Sequence, residues 1–553
     1  MLVEMKRCAA FLAFAIMLSN AAVAANASAD TGTAVDTYLT RLVPLGFSGN
    51  VIVADRGKIV LEKGYGLSDR EHGVPVTSNT AMTVGSITKQ FTAAAILTLE
   101  MQGKLRTSDS IAQYLANVPL DKASITLHEL LTHTSGLASD YGPGDFEPVD
   151  REAYVARVMR APLEGTPGGN FHYSNAGYNL LAAIIERVSG ASYDRYLHDN
   201  LFAPAGMRQT GDRIPQWSPS QIAVGYRDGE RWGTMLEHWG AGGPYWNQIG
   251  SGGIESTPGD MFRWHVALQQ NRVLSAEERK KFETGYVQSG PNERYAYGWG
   301  VRSSPYGLLV THNGGNTIFA ADFLRFIDRD TVIYIASNES EMPATLISRG
   351  IARLAFQAPF DVPPATVNLS KAQLDALAGT YCTQNRQRVD VRADRTELIF
   401  QTADPALFSA LGPPLPPQIE SDVRTRTSAF IANAGPTDSG EHPNWQAAVE
   451  TNGKLKSATY VGATVEGEDP ASWILARFER GDKYVQLAWG PEQLIGIGVA
   501  IDPPSFRYHA QSATQFFAYD ARSGSAMVSF SGTTLSLGHL IAKKAKIGSA
   551  ICQ

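Results

Sequence analysis

A serine and a lysine three positions apart are the first residues in this chain that could do chemistry together. Ser86-Ile87-Thr88-Lys89 is the only Ser-x-x-Lys in the 553 residues, and it stands where the loop Thr83-Val84-Gly85 runs into an apolar, alanine-rich stretch. If that stretch is helical, positions i and i+3 share a face, so the Lys89 amine can reach the Ser86 hydroxyl. Unpaired N–H groups at the helix start can also stabilise a developing oxyanion. The tetrapeptide therefore predicts a nucleophilic serine, although on the order of one such match arises by chance in a chain this long.

A tyrosine and an asparagine form the second candidate group, in Tyr173-Ser174-Asn175. Tyr173 could carry a proton between nucleophile and leaving group if nearby cations such as Lys89 made its phenolate accessible. Asn175 could hold the lysine or a substrate amide. Taken alone, a Tyr-x-Asn is more often a half-buried aromatic followed by a capping asparagine.

His312-Asn313-Gly314-Gly315 is the third group. Its paired glycines let a ligand come close to the backbone, and the Gly315 N–H could join the Ser86 N–H as an oxyanion hole. A lone His-x-Gly-Gly is more often a turn. The segment 130–137, Leu-Leu-Thr-His-Thr-Ser-Gly-Leu, is typical of a helix end running into a polar turn, and we interpret it as scaffold.

Hydrophobic periodicity predicts the elements that must position these groups. Apolar faces of helical period, closed by glycines, predict helices over 86–101 and 176–188. Alternating runs predict strands at 50–54, 58–62, 307–310, 320–326 and 331–336. These strands lie near both ends of the region, and the predicted helices lie between them. The order predicts one sheet that is built from both ends of the region and covered by helices, with a helical insert.

The chain is too long for one ordinary domain. Its first residues are typical of a signal peptide over 1–24, with basic Lys6 and Arg7, a short apolar run and the cleavage site Ala22-Val23-Ala24. Three prolines within 357–366 predict a linker between a domain at 35–356 and a β-rich barrel or sandwich at 367–553. We expect a periplasmic or secreted protein without a transmembrane anchor, because the apolar run is too short to span a bilayer.

Net charge and cysteine usage restrict partners and compartment. A net charge of −6, with no run of lysine or arginine longer than three residues, argues against nucleic-acid and anionic-membrane partners, and favours a small-molecule or peptide substrate. Export would place Cys382 and Cys552 in an oxidising compartment, where disulfides persist, and we predict that these two cysteines pair. The alternative is two separate buried thiols.

Five landmarks in order carry a family resemblance: Ser86-Ile-Thr-Lys89, segment 130–137, Tyr173-Ser-Asn175, the glycine-rich run 252–260 and His312-Asn-Gly-Gly315. Together they resemble the serine β-lactamase-related superfamily, in the branch of class C β-lactamases, DD-peptidases, D-aminopeptidases and family VIII-type esterases. The resemblance covers about residues 35 to 356. The C-terminal region more loosely resembles the β-barrel domains appended to some members.

The resemblance implies an α/β fold, an antiparallel sheet flanked by helices with an all-helical subdomain, followed by a C-terminal all-β barrel-like domain. It implies an acyl-enzyme mechanism in which Ser86 attacks, Lys89 and Tyr173 share proton transfer, and the N–H groups of Ser86 and Gly315 hold the oxyanion. Asn175, His312 and Gly314 would line the substrate site. No metal or cofactor is implied, and the histidines show no closely spaced ligand pair.

One departure bears on the substrate. Where penicillin-binding proteins and class C β-lactamases typically carry lysine, this chain has His312, which is often neutral and would hold a substrate carboxylate less firmly. We therefore rank amides, D-amino-acid-containing peptides and esters above β-lactamase or DD-carboxypeptidase substrates. Two further alternatives are a non-catalytic binding protein and a penicillin-recognising protein that deacylates poorly.

Overall fold

The structure is a computed structural model that describes residues 30–545 and residue 552, with gaps at 143, 228, 241, 317, 341, 343, 414, 434, 436–442, 467–468, 491–493 and 521–523. The predicted signal peptide lies outside the described residues. The chain divides into two compact units, one ending at Pro359 and the other beginning at Phe360. Residues 358–370, which include most of the predicted linker, form neither helix nor strand. Over the described ranges, no helix is both long and apolar enough to cross a membrane.

An eight-stranded antiparallel sheet is the frame of the first unit. The strands of this unit, in chain order, are β1 (Gly49–Asp55), β2 (Lys58–Tyr65), β3 (Leu67–Asp69), β4 (Val74–Pro75), β5 (Met82–Thr83), β6 (Gly225–Arg227), β7 (Glu230–Gly233), β8 (Glu255–Ser256), β9 (Val287–Gly290), β10 (Glu293–Tyr295), β11 (Gly300–Ser304), β12 (Gly307–Gly315), β13 (Ala320–Phe326) and β14 (Thr331–Ser337). The sheet order is β2-β1-β14-β13-β12-β11-β10-β9. Val51 lies opposite Ile335 where β1 pairs with β14. This pairing joins the two ends of the unit, as the sequence predicted.

Helices cover this sheet and form the region that carries the serine. They are α1 (residues 30–42), α2 (Thr88–Met101), α3 (Leu127–Leu131), α4 (Arg151–Arg160), α5 (Asn175–Ser189), α6 (Tyr193–Leu197), α7 (Ala203–Ala205), α8 (Met235–Trp239), α9 (Pro258–Gln269), α10 (Ala276–Phe282) and α11 (Ala344–Ala355). Helix α2 is buried on all sides from Thr88 to Leu99 and lies at the centre of the core. Ser86 precedes it in a 3-10 turn, Gly85–Ile87, so the α-helix begins two residues later than predicted.

The second unit contains a closed eight-stranded barrel. Its elements are α12 (Lys371–Leu377), β15 (Gly379–Thr383), β16 (Arg388–Asp394), β17 (Glu397–Gln401), α13 (Pro405–Leu411), α14 (Pro417–Ala432), α15 (Pro443–Asn452), β18 (Leu455–Glu466), β19 (Asp469–Phe478), β20 (Gly481–Trp489), β21 (Leu494–Ala500), β22 (Ser505–Ala510), β23 (Gln515–Asp520), β24 (Gly524–Ser531), β25 (Thr534–Leu537) and β26 (Leu540–Lys544). Strands β15 to β17 and β22 to β26 close the barrel. Together with the sheet and helices of the first unit, this barrel confirms the predicted fold class.

An insertion between β17 and β22 was not anticipated. Strands β18 to β21 form a separate four-stranded sheet with its own apolar core against α14 and α15. This sheet lies within 367–553, the range for which the sequence predicted a single barrel or sandwich, and β20 belongs to it and not to the barrel. Alternation of apolar and polar residues has the same period in both sheets, so the pattern could not distinguish them.

Cys382 and Cys552 are joined in a disulfide that closes a loop of 170 residues. Cys382 lies in β15, where it is paired with Arg388 of β16 and Lys543 of β26. Thiol titration of native protein that lacks residues 1–24, without reductant, is expected to find neither thiol free and to find both after reduction and denaturation. Two titratable thiols in the native protein would contradict the bridge.

Candidate active site

Two backbone segments in direct contact hold the predicted nucleophile and oxyanion donors. A Cβ added at Gly314 would lie 1.9 Å from the Val84 carbonyl oxygen, and one added at Gly85, where φ is +52°, would lie 2.5 Å from the Gly315 nitrogen. Glycine is required at both positions because no side chain fits in this contact. The end of β12 is thereby pressed against the turn that carries the half-buried Ser86, so the structure brings Ser86, Gly314 and Gly315 together.

Lys89 is fully buried behind the serine and makes three hydrogen bonds. Its Nζ lies 3.0 Å from Ser86 Oγ, 2.7 Å from Asn175 Oδ1 and 2.9 Å from the Ser251 carbonyl oxygen. Burial lowers the pKa of Lys89 from 10.5 to about 7, although the negative charges of Asp140 and Asp145 oppose that shift. The neutral amine is therefore well populated near neutral pH, which is the form a general base requires.

The surroundings of Lys89 also orient that base. Oδ1 of Asn175 and the Ser251 carbonyl oxygen can only accept hydrogen bonds, so each takes one N–H of a neutral amine. The remaining tetrahedral position of the nitrogen, its lone pair, then faces Ser86 Oγ. In this arrangement a neutral Lys89 is placed to accept the serine proton.

Asp140 fixes which end of the Asn175 side chain faces the lysine. Asn175 Nδ2 donates to the two carboxylate oxygens of Asp140 at 3.0 and 3.2 Å, which leaves Oδ1 for Lys89. Asp140 was not among the residues predicted from the sequence, since it follows segment 130–137 in a loop without a recognisable motif. We interpret it as a positioning residue.

Substitutions at Asp140 are expected to separate its charge from its hydrogen bond. Asp140→Asn keeps an acceptor for Asn175 but removes a charge that raises the pKa of Lys89, so the acid limb of kcat/KM should move to lower pH. Asp140→Ala also frees Asn175 to rotate and should lower kcat/KM about tenfold, the cost of losing one charge-assisted hydrogen bond. Rates measured from pH 5 to 9 test both.

Asp121 provides the matched control for Asp140. It is an exposed aspartate that pairs with another buried lysine, Lys122, at 2.9 Å. Asp121→Ala should leave the pH profile unchanged. Wild-type kinetics in Asp140→Ala would show that activity does not require the hydrogen bonds from Asn175 to Asp140.

Tyr173 is half-buried, and Ser86 interacts with its hydroxyl strongly enough to lower the pKa of the phenol. Lys89 Nζ lies 4.7 Å from the centre of its ring. Burial raises the pKa of Tyr173 above its ordinary value of 10.0, and the interaction with Ser86 only partly opposes this. The phenolate considered from the sequence is therefore disfavoured, and Tyr173 is suited to donate and recover a proton while Lys89 acts as the base.

Segment 130–137 holds the Tyr173 loop in place through His133. The Ser174 N–H donates to His133 Nδ1 at 3.0 Å, and the His172 N–H donates to the His133 carbonyl oxygen at 2.8 Å. The imidazole packs 4.3 Å from the Tyr173 ring, and burial holds the pKa of His133 well below 6.5. A neutral, buried histidine of this kind has the scaffold role that we predicted for the segment.

His312 lies on β12 with both ring nitrogens engaged. Its Nδ1 lies 2.5 Å from the Asn313 carbonyl oxygen, which can only accept, so Nδ1 carries the proton and Nε2 accepts from the Tyr295 hydroxyl at 2.9 Å. Burial, with the nearby Lys89 charge, lowers the pKa of His312 to about 4. The side chain is neutral at neutral pH and offers no cation to a substrate carboxylate.

Two of these contacts are hard to find from sequence. Ser251 contributes only its carbonyl oxygen, which any residue could supply, and Tyr295 comes from β10, a strand that we did not predict. In the part of the chain that the structure describes, there is no group of three or more His, Cys, Asp or Glu side chains that could hold a metal ion.

Comparison with known proteins gives independent evidence about the family and the fold of this chain. The family model described as Beta-lactamase matches residues 46–356. Penicillin-binding protein 4* of Bacillus subtilis (strain 168) is 30% identical over 383 residues, covering 65% of this chain and 84% of that protein. The putative penicillin-binding protein PbpX of the same strain is 33% identical over 285 residues, covering 50% of this chain and 66% of that protein. The octameric penicillin-binding protein homologue from Pyrococcus abyssi superposes with a TM-score of 0.54, covering 93% of this chain and 98% of its own, and at 20% identity it supports the fold alone.

Proposed function

The chain belongs to the β-lactamase family and is a serine hydrolase of that superfamily, and from this premise we propose that Ser86 forms an acyl-enzyme with a small ester, amide or peptide, including peptides that contain D-amino acids. The observation that carries the proposal is the directed contact of the buried Lys89 amine with Ser86 Oγ at 3.0 Å. A structural lysine in a core is usually paired with a carboxylate, whereas this one faces a hydroxyl, an amide and a carbonyl.

The proposed reaction moves one proton through three side chains. Neutral Lys89 accepts the Ser86 proton as Oγ attacks the substrate carbonyl carbon, and the N–H groups of Ser86 and Gly315 stabilise the oxyanion. The Tyr173 hydroxyl gives its proton to the leaving group and recovers one from the Lys89 ammonium as the bond to the leaving group breaks. Water then attacks the acyl-enzyme by the reverse sequence, which releases the acid and restores Ser86.

Intact-mass spectrometry of the mature protein and Ser86→Ala tests this proposal. Both proteins are exposed to a fluorophosphonate, a p-nitrophenyl ester, a D-alanine p-nitroanilide and a chromogenic cephalosporin, with turnover followed in parallel. A fluorophosphonate adduct and turnover that are both lost in Ser86→Ala support the proposal. No adduct and no turnover with any of the four would favour the non-catalytic binding protein.

The names of the relatives favour a second candidate, covalent recognition of penicillin-type compounds. Penicillin-binding protein 4* is named for binding penicillin, and it is 30% identical to this chain over 383 residues. The same mass spectra distinguish this candidate, because slow deacylation leaves an adduct of the whole β-lactam on Ser86 without sustained turnover.

The neutral His312 leads to a prediction about the charge of the substrate. We expect His312→Lys to raise the ratio of kcat/KM for the carboxylate-bearing cephalosporin to that for the neutral ester about tenfold, because an ammonium pairs with a carboxylate and a neutral imidazole does not. His312→Gln is the neutral control and should leave the ratio unchanged. An equal change in both variants would assign the effect to pocket shape instead of charge.

Export to the periplasm or medium is part of the same proposal. It is supported by the leader-like residues 1–24 and by the pair Cys382 and Cys552, which suits an oxidising compartment.

A further inference from the structure

A cavity of about 450 Å³ lies in the first unit between α4, α5 and the segment 115–117. Leu115, Met159 and Ala183 form its buried floor. Its volume falls within the range of about 300–1,000 Å³ that is typical of small-molecule sites, and such sites combine apolar walls with a few charged groups. We call it the α4–α5 pocket.

Arg160 and Arg187 stand exposed at the rim of the α4–α5 pocket. Neither makes an ion pair or side-chain hydrogen bond with any described residue, whereas Arg151, also in the lining, is paired with Glu152 and Glu186 at 2.7 Å. The rim therefore carries two unneutralised guanidinium groups in a chain whose net charge is −6. Both lie in the last turn of their helices, where cations are favoured, but that preference does not account for an apolar cavity beside them.

The pocket is separate from the catalytic residues. Helix α5 begins at Asn175, which contacts Lys89, and Arg187 lies near its other end. At about 1.5 Å per residue this separation is about 18 Å. None of the residues that line the pocket touches Ser86, Lys89 or Tyr173 through a hydrogen bond or ring contact among the described residues.

We propose that the α4–α5 pocket binds a small amphiphilic anion, with a carboxylate or phosphate head on Arg160 and Arg187 and a short acyl or aromatic body on the apolar floor. Guanidinium groups bind both heads through paired hydrogen bonds. The floor removes the apolar body from water, which a simple inorganic anion could not exploit.

Calorimetric titration of the mature protein with octanoate, octyl phosphate and octanol, each below its aggregation limit, tests this. We expect saturable binding of octanoate or octyl phosphate at one site, and the stronger of the two identifies the head. Arg160→Gln/Arg187→Gln should weaken it about tenfold or more, the loss of at least one charge-assisted hydrogen bond. Arg106→Gln/Arg208→Gln removes two exposed arginines elsewhere and should change the affinity less than about twofold. Ester turnover should be unchanged in both double variants.

A second variant tests the floor without changing charge. Ala156→Phe fills the pocket from its half-buried wall and should also abolish binding. The proposal is overturned if neither anion binds, if octanol binds as tightly as both anions, or if the two arginine double variants behave alike. It is also overturned if blocking Ser86 with the fluorophosphonate abolishes binding, because the anion would then occupy the catalytic site.

Discussion

Lys89→Met is expected to lower kcat/KM for a neutral ester by about 10³-fold or more at pH 8, within the range by which general bases accelerate proton transfer. Methionine has a similar length and fills the buried space, but it cannot accept the Ser86 proton. Rates with the p-nitrophenyl ester, together with the fluorophosphonate adduct on Ser86, measure the loss.

Two variants separate the base from other roles of the lysine. Lys89→Arg keeps hydrogen-bond donors but is always protonated, so it should be nearly as inactive as Lys89→Met. Lys122→Met removes another buried lysine, one that donates to the Ala161 carbonyl oxygen at 2.7 Å, and should keep wild-type kinetics. Activity retained in Lys89→Arg would contradict the base role.

The dependence of wild-type kcat/KM on pH also tests whether Lys89 is the base. Lys89, with a pKa of about 7, loses its lone pair to a proton as the pH falls, so kcat/KM should decrease about tenfold per pH unit below 7 and level off above it. His312, with a pKa of about 4, stays neutral across this range. The decrease of kcat/KM below pH 7 should therefore disappear in Lys89→Met and persist in His312→Gln.

Stability gives an independent check on the lysine. A lowered pKa means that the folded state favours the neutral amine, so Lys89 disfavours folding progressively as the pH falls from 10.5 towards 7. Lys89→Met should consequently be no less stable than the wild type at pH 7, despite its inactivity. A large loss of stability would show that the inactive variant is misfolded.

The sequence was sufficient to predict those parts of the site that depend on residues close together in the chain. The Ser86–Lys89 spacing and the apolar face of α5 are short-range features, and predicted helix 176–188 lies within one residue of Asn175–Ser189 at each end. Gly190, with φ of +74°, ends that helix as predicted, whereas the residue that caps its start is Ser174 and not the asparagine that follows it.

Contacts between distant segments were not accessible from those patterns. Asp140 meets Asn175, and Tyr295 meets His312, only because the sheet and helices are already assembled. The protonation of Tyr173 depends on burial, which no motif reports, so the sequence allowed a phenolate that the structure disfavours. The insertion of β18 to β21 escaped notice because short alternating strands do not reveal which sheet they join.

Glu255→Gln is expected to stabilise the protein strongly at alkaline pH and little at acidic pH. Glu255 lies in β8 opposite Thr83, is 1% exposed, and neither carboxyl oxygen has a hydrogen-bond partner among the described residues. Burial raises its pKa from 4.5 to about 8. The folded state thus keeps a proton that the unfolded chain releases above pH 4.5, and stability falls as the pH rises from 4.5 through 8.

The size of this effect follows from the pKa difference. At about 1.4 kcal/mol per pKa unit, the free energy of unfolding should fall by about 4 to 5 kcal/mol across that window, and buried water at the carboxyl would reduce the figure. Glutamine keeps the shape without the charge, so the stability difference between Glu255→Gln and the wild type should grow from about 1 kcal/mol at pH 5 to about 4 kcal/mol or more at pH 9. Calorimetric unfolding at the two pH values measures it.

Glu230, which is exposed on β7, provides the control for this prediction. Glu230→Gln removes the same charge from an exposed position, so comparing it with Glu255→Gln at pH 5 and pH 9 isolates the effect of burying the carboxyl group. Ser251, four residues before Glu255, accepts a hydrogen bond from Lys89 through its carbonyl oxygen. Ester turnover at pH 8 should therefore be compared as well, and we expect it to be unchanged in Glu255→Gln. A stability difference for Glu255→Gln that is equal at pH 5 and pH 9 would mean that the carboxyl ionises freely in the folded protein, and that a hydrated path reaches it from the solvent.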